Sequence, residues 1–221
     1  MSEIEIMKAR HSVRQYKNKP IEEELIKILS DEIKICNEKS GLHIQLVTNE
    51  PKAFDGFMAH YGKFSGVVNY IAMIGKKGSE LEEKCGYYGE QLVLLAQSLG
   101  LNTCWVALTY NKIKTAFKIE SGEKLCAVIA VGYGEAQGVP HKSKPAESVM
   151  KADEQIPEWF QRGIDAALLA PTAMNQQKFV FHLKDNKVSA KAGVGFYTKL
   201  DLGIVKYHFE LGAGKNNFEW N

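Results

Sequence analysis

The sequence predicts an α+β fold in which a mixed β-sheet is flanked by helices. Apolar segments of strand length follow helical segments in an irregular order, and the strict strand–helix alternation of doubly wound parallel sheets is absent. A faint similarity between the two ends of the chain further predicts two related halves. With 221 residues, the chain is long enough to bury a substantial core.

Helices are predicted where apolar residues recur at helical spacing between residues that start or stop a helix. The first has acidic residues in its first turn, where the helix dipole favours them. The second is apolar nearly all round, so we expect it to be central and buried. The four predicted helices run from Pro20 to near Gly41, from Tyr87 to Leu99, from Ile156 to Ala170 and from Leu200 to Leu211.

Strands are predicted in five short apolar or β-prone segments bounded by turn-forming residues. The most apolar contains the run Cys-Ala-Val-Ile-Ala-Val, which is typical of a strand buried on both faces. The last two flank residues 184–187 and form a predicted hairpin. The five segments are residues 43–47, 69–74, 125–131, 179–183 and 188–192.

The internal similarity links a helix–turn–strand segment and a buried helix at each end of the chain. Residues 25–47 have the same outline as residues 160–183, and the glycine-containing helix at 87–101 resembles the one at 202–214. This spacing is too long for a solenoid repeat and fits two half-domains. We therefore expect a first half at residues 1–150 and a shorter second half at 151–221, which share one core as a single compact unit.

Composition and charge exclude several classes of partner. The chain has 28 basic and 26 acidic residues, so no overall field favours nucleic acid or a membrane surface. No segment matches a membrane span or a signal sequence, and a cytoplasmic location is expected by default. The four cysteines are scattered singly, which is typical of reduced structural thiols, and the histidine spacing indicates no metal site.

The first candidate site is the heptapeptide Arg-His-Ser-Val-Arg-Gln-Tyr at residues 10–16. In an extended stretch alternate residues share one face, which would bring Arg10, Ser12 and Arg14 together. Two guanidiniums and a hydroxyl suit a phosphate or a ribityl chain. The alternative is a solvated basic strand edge.

The second candidate is the loop at residues 132–145, which combines glycines with Lys142 and Lys144. Its G-x-G-x-x-x-G spacing is followed by Val139-Pro140 rather than by a helix, so the Rossmann dinucleotide motif is rejected. The two lysines either extend the phosphate site or form a solvated basic turn.

The third candidate is the amide- and hydroxyl-rich segment Ala170–Gln177, which lies between a predicted helix and a predicted strand. Amide groups can bind a heterocycle that presents alternating donors and acceptors, such as the pyrimidine edge of a flavin. The alternative is an ordinary turn that follows the end of a helix.

Taken in order along the chain, three motifs resemble those of the FMN-dependent nitroreductase family. Arg-His-Ser-Val-Arg at 10–14 resembles the family's R-[RH]-S-x-[RK] motif, and Gly-Leu-Asn-Thr-Cys-Trp-Val at 100–106 resembles its G-L-G-T-C-W-I-G segment. Val-Gly-Tyr at 131–133 resembles the strand end that precedes a basic pair in the family. The resemblance covers nearly the whole chain and implies a nitroreductase-like α+β fold.

The sequence departs from the family pattern in the place of one motif. The family's A-P-S-x-x-N-x-Q-P-W motif closely follows its first helix, whereas residues 34–41 do not match it and the matching segment here is Ala170–Gln177. In the usual homodimers the motifs that meet at each FMN come from different chains. The rearrangement resembles a tandem subgroup in which one chain mimics the dimer, so we expect one intact FMN site and one degenerate site per chain.

The resemblance also implies which residues hold FMN. The phosphate and ribityl chain would be held by Arg10, Ser12, Lys142 and Lys144, with His11 beside them, and the pyrimidine carbonyl would be approached by Arg14. Backbone groups near Val106 and Ala107 would lie by N5, so no side-chain acid or base is required. The other side of the isoalloxazine would be bordered by Pro171, Thr172, Ala173 and Asn175.

The implied reaction is a ping-pong transfer in which NAD(P)H reduces FMN and leaves before a nitroaromatic or quinone-type acceptor takes the electrons. The chain would act as a monomeric pseudo-dimer or as a homodimer. Gln177-Lys178 replaces the family's Pro-Trp, so the pocket wall is expected to differ. Three alternatives stay open: a non-catalytic flavin-binding or storage protein, a flavin-dependent dehalogenase or dehydrogenase, and an interaction domain without cofactor.

Overall fold

The computed structural model describes residues 1–153 and 155–221. The chain forms two compact units, each made of segments that are distant in the sequence. The N-terminal unit comprises Arg10–Leu81 and Gln91–Val139, and the C-terminal unit comprises Met1–Ala9, Glu82–Glu90 and Pro140–Asn221. The division into sequence halves at about residue 150 stays a prediction.

Helices and strands alternate irregularly along the described residues. The helices are α1 (Glu3–Ala9), α2 (Glu23–Ser40), α3 (Phe57–Tyr61), α4 (Leu81–Ser98), α5 (Glu158–Ala167) and α6 (Thr198–Ala213). The strands are β1 (Gln45–Val47), β2 (Tyr70–Lys76), β3 (Asn102–Val106), β4 (Glu123–Gly132), β5 (Met150–Ala152), β6 (Phe179–Lys184), β7 (Lys187–Ala192) and β8 (Glu219–Trp220).

The N-terminal unit is built on an antiparallel sheet in the order β1-β2-β4-β3. The central strand β2 is buried from Tyr70 to Gly75 because its residues are apolar on both faces. Alternate side chains of this sheet pack with Phe54, Phe64 and Phe117. In the strand order given above, β3 lies at an edge of the sheet and has one side available for further pairing.

The C-terminal unit is built on a mixed sheet in the order β5-β6-β7-β8. Its outer strands run parallel to their neighbours, and β6 and β7 form an antiparallel hairpin. The hairpin turns at Asp185 and Asn186, whose φ values of 52° and 60° suit the type I′ turn that these residue types favour. Helix α6 packs on the hairpin, where Phe209 stacks on Phe181 with ring centroids 4.5 Å apart.

Glycines within helices allow close helix packing in the C-terminal unit. A Cβ atom on Gly203 of α6 would overlap the carbonyl oxygen of Glu83 in α4 and lie 2.6 Å from the nitrogen of Tyr87. A Cβ atom on Gly212 would lie 2.5 Å from the Cβ of Ala166 in α5. The backbones of α4 and α5 therefore approach α6 more closely than a side chain would permit.

The predicted α+β class is confirmed, with two four-stranded sheets in place of the single mixed sheet expected. A helix, two strands and a helix follow one another as α2–β1–β2–α4 and as α5–β6–β7–α6, with the short helix α3 inserted between β1 and β2 in the first run. Two helix boundaries are corrected. Helix α4 begins at Leu81, before the predicted Tyr87, because acidic residues suit its first turn; α6 continues past Gly212, which packs against α5.

Candidate functional site

The heptapeptide of the N-terminal unit is held in an extended form against the edge of β3. Ser12 pairs with Thr103 as a parallel bridge, and the Val13 nitrogen donates to the Thr103 carbonyl at 3.0 Å. The Tyr16 nitrogen donates to the Ser65 carbonyl, also at 3.0 Å. Val13 and Tyr16 are both 5% exposed and join the core, so the segment is fixed along its length.

Three side chains of this segment, Arg10, Ser12 and Arg14, act on the thiol of Cys104. Ser12 hydrogen-bonds with that thiol through its side chain, and the charges of Arg14 and Arg10 act on it. Burial raises the pKa of the Cys104 thiol, while the two guanidiniums and the Ser12 hydrogen bond partly oppose the increase. The charges of two arginines thus act on this part of β3.

The two arginines differ in their solvent exposure. Arg10 is 3% exposed, whereas Arg14 is exposed and its guanidinium carbon lies 5.9 Å from the centre of the Phe64 ring. Ser12 and His11 are half-buried, and Nδ1 of His11 lies 3.1 Å from the carbonyl oxygen of Gln137. An external ligand could contact Ser12 and Arg14 directly, while Arg10 offers almost no accessible surface.

The glycine-rich loop after β4 is shaped by packing on this segment. A Cβ atom on Gly134 would lie 2.8 Å from Cγ1 of Val13, and one on Gly138 would lie 2.7 Å from the Cβ of His11. Gly138 also has φ of +74°, which L side chains rarely adopt. No helix follows these glycines within residues 133–145, in agreement with the rejection of a Rossmann motif.

The residues predicted to lie by flavin N5 are at the end of β3. Val106 is 3% exposed and pairs with Val128 of β4, and Ala107 follows as a half-buried residue after the strand. Leu108 is 66% exposed. The chain therefore passes from core to surface over three residues, and it is the backbone at this strand end, rather than the Val106 side chain, that can face a ligand.

The candidate loop of the C-terminal unit, residues 171–177, has an unusual backbone. Met174, Asn175 and Gln177 have φ values of 52°, 54° and 44°, in a region where non-glycine residues are uncommon. Such conformations cost free energy and persist only when surrounding contacts impose them. The contacts in this loop come from Gln177, Lys144 and Asp201.

Gln177 is 3% exposed and ties the loop to residues 142–144 of the same unit. Its Nε2 donates to the Lys142 carbonyl and to Oδ1 of Asn175, both at 2.8 Å, and its Oε1 accepts from the Lys144 nitrogen at 2.8 Å. Its backbone nitrogen donates to the Thr172 hydroxyl at 3.1 Å. The sequence shows a glutamine at the end of the amide-rich segment but carries no sign of its burial.

Lys144 and Asn175 use their side chains to hold the two loops of this unit together. The ammonium of Lys144 donates to the carbonyls of Gln176 at 2.8 Å and Gln177 at 3.1 Å, and Nδ2 of Asn175 donates to the Lys142 carbonyl at 2.9 Å. Lys142 itself is exposed. Lys144 therefore has a structural role, and Lys142 is the more accessible cation for a phosphate.

Asp201, in the first turn of α6, was not singled out by sequence because acidic residues are usual there. One of its carboxylate oxygens accepts from the Ala173 backbone nitrogen at 2.9 Å, and the other accepts from Nε2 of Gln176 at 2.7 Å. Asp201 is 2% exposed, and burial raises the pKa of its carboxyl to about 6, although the two hydrogen bonds oppose this shift.

The described part of the chain lacks a metal-binding cluster and a membrane-spanning helix. No group of three or more His, Cys, Asp or Glu residues there could hold a metal ion. No helix among residues 1–153 and 155–221 is both long and apolar enough to cross a membrane.

A family model described as "Putative TM nitroreductase" matches residues 3–213, which is nearly the whole chain. The chain belongs to this family. Membership of the nitroreductase family confirms the resemblance carried by the three sequence motifs and supports an oxidoreductase class. No curated protein matches the chain significantly.

Solved structures show the nitroreductase fold at low sequence identity. A "putative nitroreductase" of Thermotoga maritima is 21% identical with a TM-score of 0.66, and the match covers 98% of this chain and 85% of that chain. A "Putative NADH dehydrogenase/NAD(P)H nitroreductase" of Parabacteroides distasonis is 23% identical with a TM-score of 0.53, covering 66% and 95%. A "Putative NADH Oxidase" of Clostridium acetobutylicum is 22% identical with a TM-score of 0.50, covering 65% and 96%.

Proposed function

We propose that this chain is an FMN-dependent oxidoreductase that takes electrons from NAD(P)H and passes them to a small aromatic acceptor of the nitroaromatic or quinone type. Membership of the nitroreductase family supports the reaction class. The observation that carries the proposal is the fixed display of Ser12 and Arg14 at the edge of β3, with the charge of Arg10 beside them. This donor set suits an anionic, hydrogen-bond-accepting cofactor.

Several of the residues predicted for the N-terminal unit would suit FMN. Arg14 is exposed, Ser12 is half-buried, and His11 lies beside them. Arg10 is too buried for direct contact, so we assign it a supporting role through its charge. Backbone groups at Val106 and Ala107, at the end of β3, would complete the set and leave hydride transfer without a side-chain acid or base.

The residues of the C-terminal unit fit a flavin through backbone and small side chains. Thr172 and Ala173 are half-buried in a loop whose shape is fixed by Gln177 and Asp201, so they would meet a flat ring without reordering. Lys142 would contribute to phosphate binding, with Lys144 and Asn175 holding the loop and Pro171 at its start.

When bound, FMN would supply the two-electron chemistry between NAD(P)H and the acceptor. The guanidinium of Arg14 would stabilise the negative charge that reduction adds to the pyrimidine side of the cofactor. The guanidinium lies 5.9 Å from the centre of the Phe64 ring, a contact that favours this orientation of the cation.

The first experiment is the visible absorbance spectrum of the purified chain, followed by anaerobic mixing with NADH or NADPH. A flavin spectrum that bleaches within seconds and recovers on addition of a nitroaromatic or quinone is expected. A bound flavin that does not bleach would instead indicate a storage protein, and a colourless chain that takes up no FMN would indicate an interaction domain. Halogenated phenols tested beside nitroaromatics separate the dehalogenase alternative.

Arg14→Ala tests the cationic contact directly. Loss of one charged hydrogen bond costs about 1.5–3 kcal/mol, so the dissociation constant for FMN should rise about 10- to 150-fold. Fluorescence titration of the flavin-free chain with FMN measures this dissociation constant. Lys17→Ala, which removes an exposed cation directly after this segment, is the matched control and should leave the constant unchanged. Equal affinity for the Arg14 variant and wild type would remove Arg14 from the site.

A further inference from the structure

The loop 171–177 is held by one acidic group on another element of the same unit. Asp201 accepts the Ala173 nitrogen with one oxygen and the Gln176 amide with the other, at 2.9 Å and 2.7 Å. The same Gln176 amide nitrogen donates to the Phe196 carbonyl at 2.7 Å. A single buried carboxylate thus fixes the loop directly and, through Gln176, links it to the turn that precedes α6.

We propose that Asp201 is the positioning residue of the candidate flavin loop, and that only its ionised form holds Ala173 and Gln176 in the binding geometry. The inference rests on the proposed function for its ligand, FMN. The loop needs such an anchor because Met174, Asn175 and Gln177 occupy the left-handed region, which the chain does not adopt without imposed contacts. A carboxylate can accept both donors at once, whereas a protonated carboxyl keeps full acceptor strength on one oxygen only.

Burial and two neutral hydrogen-bond donors, rather than a nearby charge, determine the environment of Asp201. The ammonium groups of Lys144 and Lys178 donate to the carbonyls of Gln176, Gln177 and Val194. Residues 171–177 carry no ionisable side chain, and the preceding turn carries only Tyr197. Lys199 is exposed, and Lys206 of α6 is paired with Glu83 of α4 at 2.7 Å. The pKa of Asp201 is raised by burial, and its two hydrogen bonds are the opposing influences. Protonation near pH 6 should therefore release the loop.

The test begins with the flavin-free chain, so that it does not depend on cofactor chemistry. In a pH titration by NMR, the backbone amide signal of Ala173 should shift with a midpoint near the Asp201 pKa of about 6. The shift should vanish in Asp201→Asn. Asp165→Asn, which removes an exposed carboxylate on α5, is the matched control and should titrate like wild type. An Ala173 signal that does not titrate between pH 4.5 and 7.5 would overturn the anchoring role.

FMN affinity then tests the link to binding. At pH 7.5 the dissociation constant for FMN of Asp201→Asn should be about tenfold higher than that of wild type or Asp165→Asn, because one charged hydrogen bond is lost. At pH 5 the three constants should approach one another. The cofactor phosphate also titrates near pH 6, which is why the variants are compared at each pH.

The outcomes separate the two proposals. A wild-type chain that binds FMN while Asp201→Asn binds it equally well at pH 7.5 would overturn the positioning role and leave the proposed function intact. A wild-type chain that binds no FMN at either pH would overturn the proposed function and, with it, the ligand assigned to the loop; the Ala173 titration would still decide the anchoring.

Discussion

His208 and Glu90 of the C-terminal unit form a hydrogen-bonded pair in which both side chains are fully buried. Nδ1 of His208 lies 3.1 Å from the Ala166 carbonyl, which can only accept, so this nitrogen carries a proton. Nε2 lies 2.9 Å from Oε1 of Glu90, and the two groups therefore share a second proton. One imidazole thus links residues of α4, α5 and α6.

We predict that His208→Ala lowers the free energy of unfolding by about 3–5 kcal/mol, because it breaks a buried pair and leaves space behind. Chemical denaturation followed by circular dichroism measures the change. His182→Ala is the control: its pairing with Asp153 at 2.9 Å is partly exposed and should contribute less than about 1 kcal/mol. Similar losses for both variants would show that burial does not decide the strength of these pairs.

Asp201 also gives the chain a pH-dependent stability. Its folded pKa of about 6 lies above the ordinary value of 3.8, so between these values the folded state binds a proton that the unfolded state does not. Stability from this group is therefore full below pH 3.8 and is lost as the pH rises through 6. The difference between a pKa of about 6 and one of 3.8 corresponds to roughly 2–3 kcal/mol.

Denaturation of wild type and variants at several pH values measures this contribution as a difference between their free energies of unfolding. The unfolding free energy of wild type minus that of Asp201→Asn should fall by that amount between pH 4 and pH 7.5. The same difference taken with Asp165→Asn should stay flat, because that carboxylate is exposed. A flat difference for Asp201→Asn would show that the carboxyl is not desolvated in the folded chain.

The residues of the candidate site were predictable where their chemistry is unusual for their position. Arg10, Ser12 and Arg14 stand out as alternating donors, and all three act on the Cys104 thiol. Gln177 and Asp201 have equally specific contacts but ordinary sequence positions. Their importance comes from burial and from partners distant in the chain, and no local pattern encodes either property.

At the scale of elements, the glycines of α6 determine how its neighbours pack. In an isolated helix, Gly203→Ala would stabilise the chain by about 1 kcal/mol. Here the new methyl group would overlap the Glu83 carbonyl, and the backbone of α4 must move. We expect a net loss of about 1–3 kcal/mol in the free energy of unfolding, measured by chemical denaturation.

Gly78→Ala supplies the comparison for that variant. A Cβ atom at Gly78 has no neighbour within 4 Å, and its φ lies outside the left-handed region, so the substitution should be close to neutral. If Gly203→Ala were as stable as this control, the close approach of α4 and α6 would be contradicted.

The elements that the sequence missed are those in which polar residues are buried or local signals are short. Strand β3 contains Asn102 and Thr103, which are 2% and 1% exposed, and its pairing with β4 rather than its own hydropathy makes it a strand. Helix α1 does carry a local signal. Ser2 and Glu5 form a capping box, in which the Ser2 nitrogen donates to Glu5 and the Glu5 nitrogen to the Ser2 hydroxyl.

At the scale of the molecule, each unit combines segments that the sequence separates widely. Residues 1–9 and 82–90 belong to the C-terminal unit, although most of their sequence neighbours belong to the other one. Periodicity and turn signals act over a few residues, so they predict elements but not this interleaving. The succession of helix and strand in α2–β1 and in α5–β6, by contrast, could be inferred from the sequence because both copies keep their local patterns.

The number of flavins per chain is the last prediction, and it concerns the molecule as a whole. Arg-His-Ser-Val-Arg occurs once, at residues 10–14, and the amide-rich segment occurs once, at 170–177, so the chain carries one copy of each predicted binding motif. We therefore expect one FMN per chain after saturation and removal of excess cofactor. Absorbance of the flavin released by denaturation, divided by the chain concentration from amino-acid analysis, gives the ratio, and light scattering gives the oligomeric state. A ratio of two would show that the second half binds flavin without these motifs, and a ratio of one half would show that two chains are needed to hold one cofactor.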